Sequence, residues 1–146
     1  MSATDWIASL SPWPEEFGLD RMRRLLAELG DPQDAFAAIH VVGTNGKSTT
    51  TRMIAALLRG EGLQVGAYTS PHVSGWHERL ETDAVGFERA VERVRPAAER
   101  ARATQFEALT AAALAEFAAQ RVDAAVVEAE REKLARYRRE LDAISG

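Results

Sequence analysis

The chain has 146 residues, of which 46% are hydrophobic, a formal net charge of −4 and no cysteine. That length fits one domain able to bury about two thirds of its unfolded surface. The acidic balance leaves no basic face for a nucleic-acid backbone, and the missing thiols exclude disulfide frameworks and thiolate zinc sites. Met1 to Leu10 has neither the basic flank nor the apolar core of a signal peptide, and no stretch is apolar enough for long enough to span a membrane, so a cytoplasmic protein is expected.

The first element that the pattern predicts is a helix over Asp20 to Leu29, with Met22, Leu25, Leu26 and Leu29 on one face and a stop at Gly30-Asp31-Pro32. An apolar strand, Ile39-His40-Val41-Val42, then runs into Gly43-Thr44-Asn45-Gly46-Lys47-Ser48-Thr49-Thr50. Met53, Ile54, Leu57 and Leu58 follow at helical spacing, to a stop near Gly60-Glu61-Gly62. Leu63 to Thr69 reads as a second, buried strand, and Gly75 to Gly86 as a polar, irregular loop with room to move. Phe87 to Arg102 is helical in pattern, with Pro96 expected to kink or split it. Phe106 to Gln120 is an alanine-rich helix with Leu109, Ala113, Leu114 and Phe117 facing inward, and Val122 to Val127 is a third buried strand. Strand alternating with helix at these lengths predicts an α/β fold, a parallel sheet flanked by helices in three layers.

The turn after the first strand has the layout of a phosphate-binding P-loop. Its glycines let successive backbone N–H groups face one point, a helix N-terminus adds partial positive charge, and Lys47 adds a full one, so a triphosphate is the natural ligand. The spacing is G-x-x-G-K-S, shorter than the common G-x-x-x-x-G-K-[ST], and it is the strand before and the helix after that support the reading. In a parallel sheet, ligands sit at the carboxyl ends of the strands. Here those ends carry Gly43 to Thr49, then Tyr68-Thr69-Ser70-Pro71-His72, then Glu128. A carboxylate at a strand tip opposite a phosphate loop suits Mg2+, with the hydroxyls of Ser48, Thr49 or Ser70 completing an oxygen shell. His40, His72 and His77 have no partner at metal spacing and read as strand-end or loop residues.

Five segments together resemble a known family. They are Phe17-Gly18-Leu19 with Arg21-Met22, Ile39-His40-Val41 before the glycine-rich loop, Tyr68 to His72, Phe106-Glu107-Ala108-Leu109-Thr110, and Val122-Asp123 leading to Val126-Val127-Glu128. In this order they are similar to folylpolyglutamate synthase/dihydrofolate synthase, a branch of the Mur ligase superfamily, over roughly the first 128 residues. The resemblance implies part of a Mur-ligase-type central domain and an ATP-dependent amide ligase. Such an enzyme activates the carboxylate of a folate or dihydropteroate as an acyl phosphate, which the amine of L-glutamate then attacks. By position, Gly43, Thr44, Asn45, Gly46, Lys47, Ser48 and Thr49 would hold ATP, with Lys47 and Glu128 serving catalysis and Ser48, Ser70 and Glu128 holding Mg2+. Phe106 would line the pterin pocket, although a core aromatic at a helix start is an equal reading.

Two departures qualify the match. The family loop often reads K-G-S, whereas Lys47-Ser48-Thr49 is closer to the K-T-T of the Mur enzymes, which leaves the choice between Ser48 and Thr49 open. After Glu128 a glycine-rich segment is expected, yet residues 129–146 place Leu134, Tyr137, Leu141 and Ile144 at helical spacing. The chain therefore divides into a P-loop portion, 1–128, and an amphipathic helical tail unlike the family, 129–146. The reading is a truncated ligase, with an ATP-binding module lacking turnover as the alternative. A small P-loop kinase would leave the second and fourth segments unexplained. A partial sheet also leaves strand edges open to self-association.

Overall fold

The computed structural model describes residues 1–70 and 74–128; Pro71, His72 and the tail helix expected over 129–146 lie outside the described residues. The chain begins with a helix that the sequence pattern did not suggest, α1 (Ala3–Ser9), capped by the Ser2 hydroxyl, which accepts the Asp5 N–H. It is short, but it buries Ala3, Trp6 and Ile7. Helix α2 (Asp20–Glu28) follows and buries Leu25.

Among the described residues three strands form one parallel sheet in the order β1-β3-β2: β1 (Ala37–Val41), β2 (Val65–Tyr68) and β3 (Ala124–Glu128). The register pairs Val41 with Glu128 and Tyr68 with Val127, so all three strands end at one level. Side chains alternate between the faces. Val41, Ala67 and Val126 pack with Ala55 of α3 (Lys47–Gly60) on one side, while Tyr68 and Ala125 join the larger core on the other. That larger core is built on α4 (Ala84–Ala101) and α5 (Gln105–Ala119), with α1 and α2 against them. Gly66 is required where α5 meets the sheet, because a Cβ there would lie 2.5 Å from Cδ1 of Phe117. The α/β architecture read from the sequence is therefore the one observed.

Three local expectations are corrected. The stretch from Gly75 to Gly86 is not an irregular loop: Trp76–Leu80 forms a 3-10 turn, Leu80 is buried, and the Thr69 N–H donates to the Arg79 carbonyl at 2.9 Å. α4 starts at Ala84, where Asp83 caps it by accepting the Gly86 N–H at 2.7 Å, and it continues through Pro96 as one helix. Proline in a helix interior costs about 3 kcal/mol, which burial of Phe87, Ala90, Val91, Val94, Ala97 and Ala98 outweighs. Arg95 also spans the proline, pairing with Glu92 and Glu99. In α5, Leu114 is only half-buried while Ala111, Ala112, Ala113 and Ala115 are buried, because helices and sheet surround α5 and erase a single apolar stripe.

α4 and α5 are also joined by charge. The buried Glu116 carboxylate accepts hydrogen bonds from Arg89 and Arg93 of α4 and from Gln120 at 3.0 Å. Burial alone would raise the Glu116 carboxyl, but these donors outweigh it and hold the group below the usual carboxylate range.

Candidate functional site

Between β1 and α3 the chain turns through Gly43 and Gly46, both in the positive-φ region at +154° and +74°. A non-glycine residue is strained in such conformations, and here they curl the loop so that an added Cβ on Gly43 would lie 3.9 Å from Cγ of Lys47. Lys47 is the first residue of α3. Where α1, α4 and α5 begin with a side-chain cap, α3 has none: Gly46 leads into it without a side chain to satisfy the first-turn N–H groups. Thr44 and Asn45 are exposed beside that end, and Lys47 is half-buried.

The three strand ends meet below this loop. The Ser48 hydroxyl donates to Oε2 of Glu128 at 2.8 Å, and the Ser70 N–H reaches the same oxygen at 3.2 Å. Ser48 Oγ also lies 3.3 Å from the Ser70 carbonyl oxygen. Alternation along β3 puts Glu128 on the α3 face with Val126, which is why it finds Ser48. Glu128 is 7% exposed and makes no ion pair among the described residues. A buried carboxylate is costly without a cation, so a group of one carboxylate, the Ser48 hydroxyl and the Ser70 backbone carbonyl suits a hard divalent ion such as Mg2+. Thr49 is exposed and outside this group, whereas Ser48 is in it.

One turn into α3, on the Ser48 side, Thr51 is fully buried and its hydroxyl has no hydrogen-bond partner among the described residues. Phe106 is not part of the cluster; it opens α5 and is partly exposed. Its helical neighbour four residues on, Thr110, has its hydroxyl 3.3 Å from the Tyr68 hydroxyl, and Tyr68 leads directly into Thr69 and Ser70. The start of α5 is thereby tied to the same sheet edge, a link for which the sequence held no visible signal. A second tie runs to α2, where Arg21 Nε donates to Glu107 Oε2 at 2.7 Å. His40 is exposed on β1, His77 sits in the 3-10 turn, and no group of three His, Cys, Asp or Glu residues gathers at metal-binding distance among the described residues.

Residues 41–144 match the Mur ligase middle domain. The chain is 36% identical over 143 residues to folylpolyglutamate synthase of Lacticaseibacillus casei, covering 88% of this chain and 33% of that one. Its fold is similar to that of a Mycobacterium tuberculosis folylpolyglutamate synthase complexed with ADP, with a TM-score of 0.80, 30% identity, and coverage of 86% of this chain and 31% of that one. An FPGS–AMPPCP–folate complex gives a TM-score of 0.81 at 35% identity, over 89% of this chain and 35% of that one. The chain spans between 16% and 35% of the length of these relatives, the lower value being that of a Haloferax volcanii bifunctional protein.

Proposed function

The chain belongs to the Mur ligase family through its middle domain, and on that premise we propose that it is the nucleotide-binding part of an ATP-dependent ligase of the folylpolyglutamate synthase/dihydrofolate synthase type. One observation carries this reading: the uncapped start of α3, which begins at Lys47, lies next to the Ser48–Ser70–Glu128 group at the carboxyl edge of the sheet. In the proposed reaction the γ-phosphoryl group of ATP passes to the carboxylate of a folate or dihydropteroate. The resulting acyl phosphate loses phosphate when the amine of L-glutamate attacks its carbonyl carbon, leaving an amide. Backbone N–H groups of residues 43–48 bind the phosphates, Lys47 neutralises charge on the transferring group, and Phe106 contacts the pterin ring. Ser48, Ser70 and Glu128 hold Mg2+, which supplies further charge neutralisation at the phosphates when bound. The similarity to complexes with ADP, AMPPCP and folate supports the choice of ligands.

No helix among the described residues is long and apolar enough to cross a membrane, which agrees with a cytoplasmic location for such an enzyme. In the same reading β1, whose residues Ala37 to His40 are exposed at the sheet edge, is the edge through which copies of the chain associate. The similarity to nucleotide-bound structures supports by itself a second, narrower reading, a nucleotide-binding module without turnover. Titration of the chain with AMPPCP, with and without Mg2+, tests the shared premise: Mg2+-dependent binding is expected, and no binding refutes both readings. Incubation with ATP, Mg2+, labelled glutamate and dihydropteroate or tetrahydrofolate separates them, since only the ligase yields labelled conjugate.

A further inference from the structure

Within the Ser48–Ser70–Glu128 group, Ser48 stands on a helix and Glu128 on a strand, whereas Ser70 follows β2 and belongs to neither. Its place therefore depends on what holds the backbone just beyond the strand. The Ser70 N–H donates to Glu128, and one residue earlier the Thr69 N–H donates to the Arg79 carbonyl at 2.9 Å, in the 3-10 turn Trp76–Leu80. That turn is fixed first by burial, since Leu80 is 4% exposed within the larger core. It is fixed next by charge. Arg59, in the last turn of α3, donates from one nitrogen, Nη2, to the Val65 carbonyl at 2.9 Å and to Oε2 of Glu81 at 2.9 Å. Val65 opens β2 and Glu81 closes the 3-10 turn. One guanidinium thus joins the start of the strand that ends before Ser70 to the end of the turn that receives Thr69.

Glu81 stands at φ +47°, a left-handed conformation that a residue with a side chain keeps only where its surroundings enforce it. Two bonds supply that enforcement: its N–H donates to the Glu78 carbonyl at 3.2 Å, and its carboxylate is held by Arg59. Stability alone does not account for the pair, because its side chains are 45% and 26% exposed and exposed ion pairs add little to folding. We infer that Arg59 is a positioning residue for Mg2+: through Glu81 and the 3-10 turn it fixes Thr69, and so sets where the Ser70 carbonyl stands beside Ser48. The inference rests on the proposed Mg2+ role of the Ser48–Ser70–Glu128 group and adds to it a residue from the far end of α3, roughly 16 Å along the helix from Ser48. None of the hydrogen bonds or ion pairs that Arg59 makes among the described residues involves residues 43–48. Its loss therefore acts on the ion and spares the phosphate-binding turn.

The test uses the full chain and the variants Arg59→Gln, Arg59→Lys and Glu81→Gln, with Arg100→Gln, which breaks the exposed pair with Glu28, as the control. Calorimetry reads AMPPCP affinity in EDTA and Mg2+ affinity at saturating AMPPCP, and hydrogen exchange reads the Thr69 and Ser70 amides in EDTA. Outer partners of metal ligands typically set metal affinity by tenfold or more, so Arg59→Gln should lose about tenfold in Mg2+ affinity. AMPPCP affinity in EDTA should stay unchanged and both amides should exchange faster. Arg59→Lys, which keeps the charge, recovers part of the loss, the Arg59→Gln/Glu81→Gln double variant is no worse than the weaker-binding single variant, and Arg100→Gln matches the parent. Unchanged Mg2+ affinity in Arg59→Gln, a parallel fall in AMPPCP affinity in EDTA, or an equal loss in Arg100→Gln overturns the inference. Lost Mg2+ affinity with unaltered amide exchange overturns the route through Thr69. A parent chain whose AMPPCP binding ignores Mg2+ overturns the metal reading itself and the role of Arg59 with it.

Discussion

Replacing Glu128 by glutamine tests the metal reading because the expected effect changes sign with the ion. The carboxylate is 7% exposed and receives two hydrogen bonds, from Ser48 at 2.8 Å and from the Ser70 N–H at 3.2 Å. Without a cation it bears a desolvation penalty of several kcal/mol. Against this stand the charge-assisted bonds, which lose about 2 kcal/mol in total when glutamine replaces the charge but keeps an acceptor oxygen. The balance favours the variant by about 1–2 kcal/mol in metal-free buffer, a rise in Tm of about 3–7 °C for a chain of this size. With Mg2+ and AMPPCP at 100 times the dissociation constant the parent gains about 2.7 kcal/mol, and the variant, without the charge that attracts the ion, gains much less. The order of stability therefore inverts between EDTA and Mg2+–AMPPCP, which differential scanning fluorimetry follows directly. A variant less stable than the parent in EDTA that keeps the full Mg2+ increment would refute the reasoning and leave Glu128 as a plain acceptor for Ser48 and Ser70.

Lys47→Ala is expected to weaken AMPPCP binding by ten- to a hundredfold, the cost of about 1.5–3 kcal/mol for a contact to a charged group, as measured by titration calorimetry on a folded variant. Thr51→Val should be neutral or stabilise by up to about 1 kcal/mol in urea unfolding, since the buried hydroxyl it removes has no partner in the described residues. Because the Glu116 carboxyl lies below its unfolded value, its stabilising effect is complete above the ordinary carboxylate range and is lost as pH falls through the lowered value. Glu116→Gln should therefore flatten the acid limb of a Tm-against-pH profile. Ile39→Lys, which places a charge on the open β1 edge, should abolish concentration-dependent association in sedimentation velocity, and association that persists would move the contact elsewhere.

The central elements were legible because each rests on a local signal. The glycine-rich turn sits between an apolar strand and a helix of matching period, and strand alternated with helix along the chain, which leaves a parallel sheet as the consistent arrangement. The meeting of Ser48, Ser70 and Glu128 followed from that topology, although the partners lie 22, 58 and 80 residues apart. Less visible were elements whose stability comes from tertiary contact. α1 has seven residues, too few for a periodic pattern to stand out, and is held by burial of Trp6 and Ile7 and by Glu88, which accepts the Ala3 N–H. The continuity of α4 through Pro96 likewise depends on what its buried face gains against α5. Arg21 and Glu107 stood in the sequence as family signposts, and only the fold shows that one donates to the other.

β1 poses the opposite case. Its sequence, Ala-Ala-Ile-His-Val, reads as an interior strand, apolar on both faces apart from His40, yet Ala37 to His40 are exposed and only Val41 is buried. On α3, Met53 and Leu57 are also exposed, at 60% and 69%. Natural sheet edges are guarded by charge, proline or a bulge, and β1 carries none of these. The Ser48–Ser70–Glu128 group does not depend on covering that edge, because its members are joined through β2, β3 and α3, and β3 is paired on both sides. Covering β1 would instead bear on Gly43 to Gly46, which leave the sheet from its end, with Gly43 and Gly46 at positive φ and the Gly46 carbonyl accepting the Thr50 N–H at 2.9 Å. The proposed phosphate loop is thus the part of the site whose order would respond to whatever pairs with β1, and the affinity for AMPPCP should rise with protein concentration if copies of the chain supply that pairing.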